Sequence, residues 1–129
     1  MKTVLIVDDD TDLNLTLSSF FLHKGIRVLT AGSFSEGMEK AARKRIDLAL
    51  FDYQLGDGYG DELLAEFRAI HPKAPVIIIS GYEERIVSEM AKGADLFLKK
   101  PLDLNALEGW VKILTDKAER GAGEEPGAS

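Results

Sequence analysis

The 129-residue chain contains no cysteine, which excludes disulfide scaffolds, zinc–thiolate centres and thiol nucleophiles together. Histidine is scarce: His23 falls late in a helical stretch and His71 precedes Pro72, so both are expected at the surface and neither fits a metal-ligand pattern. Basic charge is in deficit, with 16 lysines and arginines against 22 aspartates and glutamates and a net charge of −6. That balance argues against direct nucleic-acid binding, which needs a basic face. No signal peptide or spanning segment stands ahead of the strand-like run Lys2–Val7, so the expected location is cytoplasmic, with no membrane partner. No repeat recurs at a solenoid period. What is present, 45% hydrophobic and 29% charged residues, is the composition of one ordinary globular domain.

The apolar runs are short and unbroken. Thr3-Val4-Leu5-Ile6-Val7, Leu48-Ala49-Leu50-Phe51 and Pro75-Val76-Ile77-Ile78-Ile79 carry no polar alternation, the pattern of strands covered on both faces. Arg27 to Ala31 and Leu96 to Lys99 complete five strands, the third spanning Asp47 to Phe51. Helical periodicity separates them. Leu13, Leu17, Phe20 and Phe21 run up to Gly25, a C-terminal glycine stop. Ser33 and Glu36 form a capping box that opens a helix to about Lys44. Gly60 to Ile70 is the next helix and ends before Pro72. Glu83 to Lys92 is a short helix closed by Gly93. Asp103 caps a last helix that buries Leu104, Leu107, Val111 and Leu114. Residues 120–129 lack periodicity and are expected to be a disordered tail or linker stub.

Strands alternating with helices imply right-handed βαβ units and a parallel sheet. The expected fold is α/β and flavodoxin-like: a doubly wound five-stranded sheet in order 2-1-3-4-5, with helices on both faces. Ligands in such sheets bind outside the carboxyl ends of the strands, where the strand order reverses. Asp52 follows the third strand and precedes a glycine-rich loop. On this stretch alone a turn cap and a functional carboxylate are equally good readings. The topology separates them, because Asp8 and Asp9 end strand 1, Ser80 ends strand 4 and Lys100 follows strand 5, all around one crevice. Three carboxylates in one crevice repel unless a cation sits among them. Oxygen donors without His or Cys favour a hard ion, Mg²⁺ where phosphate is handled. Lys100 and Ser80 suit phosphoryl oxygens, and Asp52 can act as a carboxylate nucleophile that forms an acyl phosphate.

These residues resemble the receiver domain of two-component response regulators. The resemblance rests on Val7-Asp8-Asp9, Asp52, Ser80-Gly81 and Lys100-Pro101, in order and at matching separations, and covers about Lys2 to Ala118, with residues 1–119 as the domain. It implies that Asp52 accepts a phosphoryl group from a histidine kinase or histidine phosphotransfer protein. It further implies that Asp9, Asp52 and the backbone carbonyl of Gln54 bind Mg²⁺ directly and that Asp8 acts largely through water. The Lys100-Pro101 bond would be cis. Ser80 and Phe97 would be the switch pair, although an ordinary core aromatic is nearly as good a reading of Phe97. The chain would be a phosphoacceptor that modifies only itself rather than an enzyme. A kinase or phosphotransfer helix would dock on Leu15, Ser19 and Leu22. A homodimer would use the face of the fourth helix, fifth strand and fifth helix, near Trp110 and Ile113. For both surfaces a wide core stripe with scattered exposed apolar residues is the plainer reading.

Two departures stand out. Gly56 occupies the place where the family usually has Pro, so the loop after Asp52 is expected to be looser. Phe97 lacks the hydroxyl of the commoner Tyr. Gln54 and Tyr82 flank the site and are candidates for setting phosphoryl lifetime. Two rival functions remain open. One is a haloacid-dehalogenase-like phosphatase using the Asp8-Asp9-Asp10-Thr11-Asp12 run, which has Asp12 where Thr is needed. The other is a receiver-like binding module that works without phosphorylation.

Overall fold

The computed structural model describes residues 2–83 and 92–123, with side chains defined up to Ala118. Its strands are β1 (Thr3–Val7), β2 (Arg27–Ala31), β3 (Leu48–Asp52), β4 (Gln54–Leu55), β5 (Gly58–Tyr59), β6 (Val76–Ser80) and β7 (Leu96–Lys99). Its helices are α1 (Thr11–Leu22), α2 (Phe34–Arg43), α3 (Gly60–Ile70) and a C-terminal helix (Leu104–Gly123). The five longer strands form one parallel sheet in the order β2-β1-β3-β6-β7, which is the expected doubly wound arrangement. The helix expected over Glu83–Lys92 falls on residues 84–91, outside the described residues.

The unbroken apolar runs are explained by strand parity. Leu5, Val7, Ala49, Phe51, Val76 and Ile78 face one layer, where Ala41 of α2 and Leu63, Leu64 and Phe67 of α3 cover them. Val4, Ile6, Leu48, Leu50, Ile77 and Ile79 face the other, against Leu17 and Phe21 of α1 and Leu107, Val111 and Leu114 of the C-terminal helix. Each residue of β1, β3 and β6 is buried on one side or the other, so these central strands stay apolar until they end.

Local signals set the helix ends. Asp10 caps α1 by accepting from Leu13 N at 3.1 Å, and Gly25 sits at φ 74° beyond its end. Ser33 caps α2 through Glu36 N at 3.1 Å, while Glu36 reaches back one residue further than a capping box would, to Gly32 N at 3.3 Å. Asp103 caps the C-terminal helix through the backbone N–H groups of Asn105 and Ala106. That helix continues to Gly123, into the segment expected to be an aperiodic tail. Extending a formed helix by a few residues costs far less than starting one.

Two features were not expected. Residues 54–59 form a two-stranded antiparallel ribbon directly after β3, pairing Gln54 with Tyr59 and Leu55 with Gly58. Helix α3 then begins in contact with the end of β3. Gly60 N donates to Tyr53 O, and a Cβ on Gly60 would lie 2.8 Å from Tyr53 Cα and 2.9 Å from Asp52 O. Those neighbours are backbone and cannot swing aside. Gly60→Ala should therefore cost about 1–3 kcal/mol of stability by overpacking. Urea unfolding measures it, and an unchanged midpoint would mean that α3 can retreat from β3 without loss.

Candidate functional site

The three consecutive aspartates after β1 do different work. Asp8 is fully buried, and its Oδ1 accepts from Asp10 N at 2.9 Å. Asp9 is exposed. Asp10 is the α1 cap. The turn is held from α1 as well, where Asn14 Nδ2 donates to Asp8 O at 2.7 Å. Asp52 is the last residue of β3 rather than the first beyond it, and it is 6% exposed. One more ladder position is available to β3 because Asp52 pairs with Ile79 and Tyr53 N donates to Ile79 O at 2.8 Å.

Parity carries past the strand ends. Asp52 continues the side of Leu48 and Leu50, and Asp8 and Lys100 continue the sides of Val4 and Ile6 and of Leu96 and Leu98. All three emerge toward α1 and the C-terminal helix. There Lys100 Nζ lies 2.9 Å from Asp8 Oδ2 and 3.3 Å from Asp52 Oδ2. The Lys100-Pro101 peptide is cis. Asp8, Asp9 and Asp52 bring one carboxylate oxygen each within 4.8 Å of the others. Asp8 Oδ2 is buried and, although ion-paired with Lys100, accepts no well-aligned hydrogen bond. The donor set is all oxygen, anionic and short of counter-charge, which fits a hard divalent cation.

The electrostatics follow from burial. Asp52 is pushed up to about 6, first by loss of solvent and then by the neighbouring Asp8 charge, against the opposing pull of Lys100 and of Gln54 N. That amide donates to Asp52 Oδ1 at 3.3 Å. Burial works against the Lys100 charge too, but Asp8 and Asp52 outweigh it and hold the ammonium above the usual lysine range. One ammonium thus serves two buried carboxylates.

Ser80, 4% exposed, ends β6 with the parity of Val76 and Ile78, on the opposite side of the sheet from the acidic group. Its Oγ accepts from Tyr82 N at 3.0 Å. The Tyr82 hydroxyl in turn donates to Gln54 Oε1 at 3.0 Å, so the residues two positions after Asp52 and after Ser80 join across the cleft. That cleft, about 590 Å³, is lined by Asp9, Asp52, Gln54, Ser80, Tyr82 and Lys100 among others. Phe97 is half-buried and packs on the α2/α3 layer, on the strand that pairs Ile78 with Phe97 and Ser80 with Lys99. It therefore shares a sheet face with Ser80.

The structure brings Asp9, Asp52, Gln54, Ser80 and Lys100 to the lining of one cleft, sets Asp8 buried behind it against Lys100, and places Phe97 outside that lining, on the α2/α3 layer. Sequence reasoning missed Asn14, whose signal was its place one helical turn after the Asp10 cap. It also missed the Tyr82–Gln54 hydrogen bond, for which the sequence offers no local signal.

Residues 4–112 match the family model described as the response regulator receiver domain. Transcriptional regulatory protein GlrR of Escherichia coli is 34% identical over 121 residues, 92% of this chain and 27% of that protein. A CheY-like response regulator receiver domain protein from Methanospirillum hungatei superposes with a TM-score of 0.86 at 32% identity, over 93% of this chain and 98% of that one. Response regulator protein TrrA from Thermotoga maritima, solved in complex with Mg(2+)-BeF, superposes with a TM-score of 0.80 at 25% identity, over 88% of this chain and 99% of that one.

The raised Asp52 value carries a sign. A carboxyl that holds its proton more tightly folded than unfolded costs stability once it ionises. The cost is fully present above about 6 and disappears as pH falls toward the ordinary 3.8. Without divalent ions Asp52→Asn should melt a few degrees higher than wild type near neutrality. The gap should close as pH falls through that window. Calorimetry of the two proteins across the window tests this, and a gap independent of pH would refute it.

Proposed function

This chain belongs to the response regulator receiver domain family, and on that premise we propose that Asp52 is its phosphoacceptor, charged by a phosphohistidine on a histidine kinase or histidine phosphotransfer protein. The observation that carries the reading is the convergence of Lys100 Nζ on Asp8 and Asp52 at 2.9 and 3.3 Å, at the sheet's strand-order reversal. A carboxylate oxygen of Asp52 attacks phosphorus in line, the new O–P bond forms as the P–N bond breaks, and the electron pair leaves with the donor's imidazole. Lys100 offers its ammonium to a phosphoryl oxygen, and Ser80 its hydroxyl proton to another. Asp9, Asp52 and the Gln54 carbonyl, with Asp8 behind them, would hold Mg²⁺, which would supply charge neutralisation for the same oxygens. The protein's contribution is position and counter-charge.

In this reading the chain modifies itself and turns over no separate substrate; it spans about a quarter of the length of its curated relative GlrR. Ser80, turned toward a phosphoryl oxygen, vacates space on the α2/α3 side, and Phe97 on the same face moves to fill it. This two-state shift is driven by contacts that exist only with phosphate present. Leu15 and Leu22 on α1 are 65% and 59% exposed, and Trp110 and Ile113 on the C-terminal helix are 41% and 55% exposed. The first pair suits a donor helix and the second a homodimer contact. A phosphatase nucleophile at Asp8 is disfavoured by its complete burial under Lys100.

Treatment with acetyl phosphate and Mg²⁺ should add one phosphoryl mass to wild type and none to Asp52→Asn. Label on Asp8 would support the phosphatase instead. Millimolar Mg²⁺ should raise the melting temperature of wild type and not of Asp9→Ala; equal shifts would refute the metal site. Tyr82→Phe removes the hydroxyl that holds Gln54 across the cleft. It should shorten the acyl-phosphate half-life by about two- to tenfold, the worth of one neutral hydrogen bond. An unchanged half-life would show that the bridge does not shield Asp52 from water.

A further inference from the structure

The ribbon behind Asp52 cannot hold itself. Its pairing is limited to Gln54 with Tyr59 and Leu55 with Gly58, and so short a hairpin is marginal on its own. Gly56, at its turn, has open space where a side chain would be, and glycine adds backbone freedom just where stiffness is wanted. The other turn residue is Asp57. Its Oδ1 accepts from Phe34 N at 2.7 Å and its Oδ2 from Ser35 N at 3.0 Å.

Those two N–H groups belong to the first turn of α2 and have no partner within the helix. The α2 cap Ser33 reaches only Glu36 N. Beside this contact the Phe34 ring lies against Gly58, so closely that a Cβ there would come within 2.9 Å of it. The ribbon is therefore pinned at both ends. At its base Gln54 N holds Asp52 Oδ1 and Gly60 N holds Tyr53 O; at its tip Asp57 and Gly58 hold α2. The Asp57 carboxyl is kept below its usual range by the Ser35 and Phe34 N–H groups, as an occupied double contact requires.

We infer that Asp57 is a positioning residue for the phosphoacceptor site: by clamping the ribbon tip to the first turn of α2, it fixes Gln54 at the mouth of the Asp52 cleft. The inference rests on the reading of Asp52 as phosphoacceptor and of the Gln54 carbonyl as a metal ligand. Released at the tip, the ribbon is held only by the contacts at its base, the long 3.3 Å one from Gln54 N to Asp52 Oδ1 and that from Gly60 N to Tyr53 O, so the Gln54 carbonyl is no longer fixed in direction. Asp57 thus supplies the stiffness that Gly56 withholds.

The test compares wild type, Asp57→Asn, Asp57→Ala and Asp57→Ala combined with Gly56→Pro. Mg²⁺ affinity is read by calorimetry, phosphorylation rate with acetyl phosphate, and stability by thermal unfolding. Asp57→Ala should weaken Mg²⁺ binding and slow phosphorylation by about three- to tenfold while the protein stays folded. Asp57→Asn, which keeps one acceptor oxygen, should fall between. Proline at residue 56 restricts the loop without restoring the clamp, and should recover much of the Mg²⁺ affinity. A residue that only caps α2 would lower the melting temperature and leave Mg²⁺ affinity alone. That result, in Asp57→Ala or in Asp57→Asn if the alanine variant does not fold, overturns the inference. Wild type that takes up neither Mg²⁺ nor phosphate overturns the parent reading and this inference with it.

Discussion

The site depends on an unbalanced charge account. Asp8 is fully buried and Asp52 nearly so, and one ammonium, Lys100, reaches both. A buried ion pair rarely adds net stability, because desolvation offsets most of the Coulombic gain; among the described residues there is one more buried carboxylate here than cation, and Asp52 shows the strain in a proton affinity raised to about 6. Such an arrangement is hard to explain as a stabilising device. On the proposed function it becomes intelligible as a place kept short of positive charge, which a divalent ion would complete before a phosphoryl group arrives.

Strand parity decides who can take part. Because β1 and β3 are buried on both faces and β7 partly so, the residue at or just past the end of each strand inherits a side, and Asp8, Asp52 and Lys100 inherit the same one. Ser80 inherits the other. A single-residue slip in any of these strands would exchange the sides and separate the lysine from its carboxylates. The continuous apolar runs hold the register, since every slip would also carry a polar end into the core.

Much of this was legible in the sequence. The runs Thr3–Val7 and Val76–Ile79, the glycine at 25 and the caps at Ser33 and Asp103 show in local pattern, whereas the gathering of Asp8, Asp9, Asp52, Ser80 and Lys100 at one crevice followed only from the strand order those signals imply. What was not legible lies in contacts between distant residues. Gly56 suggested a loose loop; the structure has a ribbon tied to α2 through Asp57, a contact spanning 22 and 23 residues in sequence. The Tyr82–Gln54 hydrogen bond spans 28. Neither has a periodicity to reveal it. The reach of the C-terminal helix to Gly123 was missed for a different reason: composition rich in glycine suggests a stop, while a helix already packed through Leu107, Val111 and Leu114 carries its last residues along.

The division of the site between two sheet faces also bears on how a signal could leave it. The acidic group sits on the side of α1 and the C-terminal helix, whereas Ser80 and Phe97 sit on the side of α2 and α3. Asp52 and Ser80 end adjacent strands, with Asp52 opposite Ile79 in the ladder, so at the carboxyl ends of β3 and β6 the two faces meet within one residue. In the proposed function a phosphoryl group on Asp52 would extend outward past that edge, to be met by a hydroxyl from the far side. In the proposed switch Ser80 is then the crossing point: its hydroxyl oxygen is already engaged by Tyr82 N, but its proton is left to donate. A threonine or serine is suited to this place because it is short enough to stay buried and still turns about one bond. The two faces need no shared side chain, only an edge thin enough for one hydroxyl to reach across.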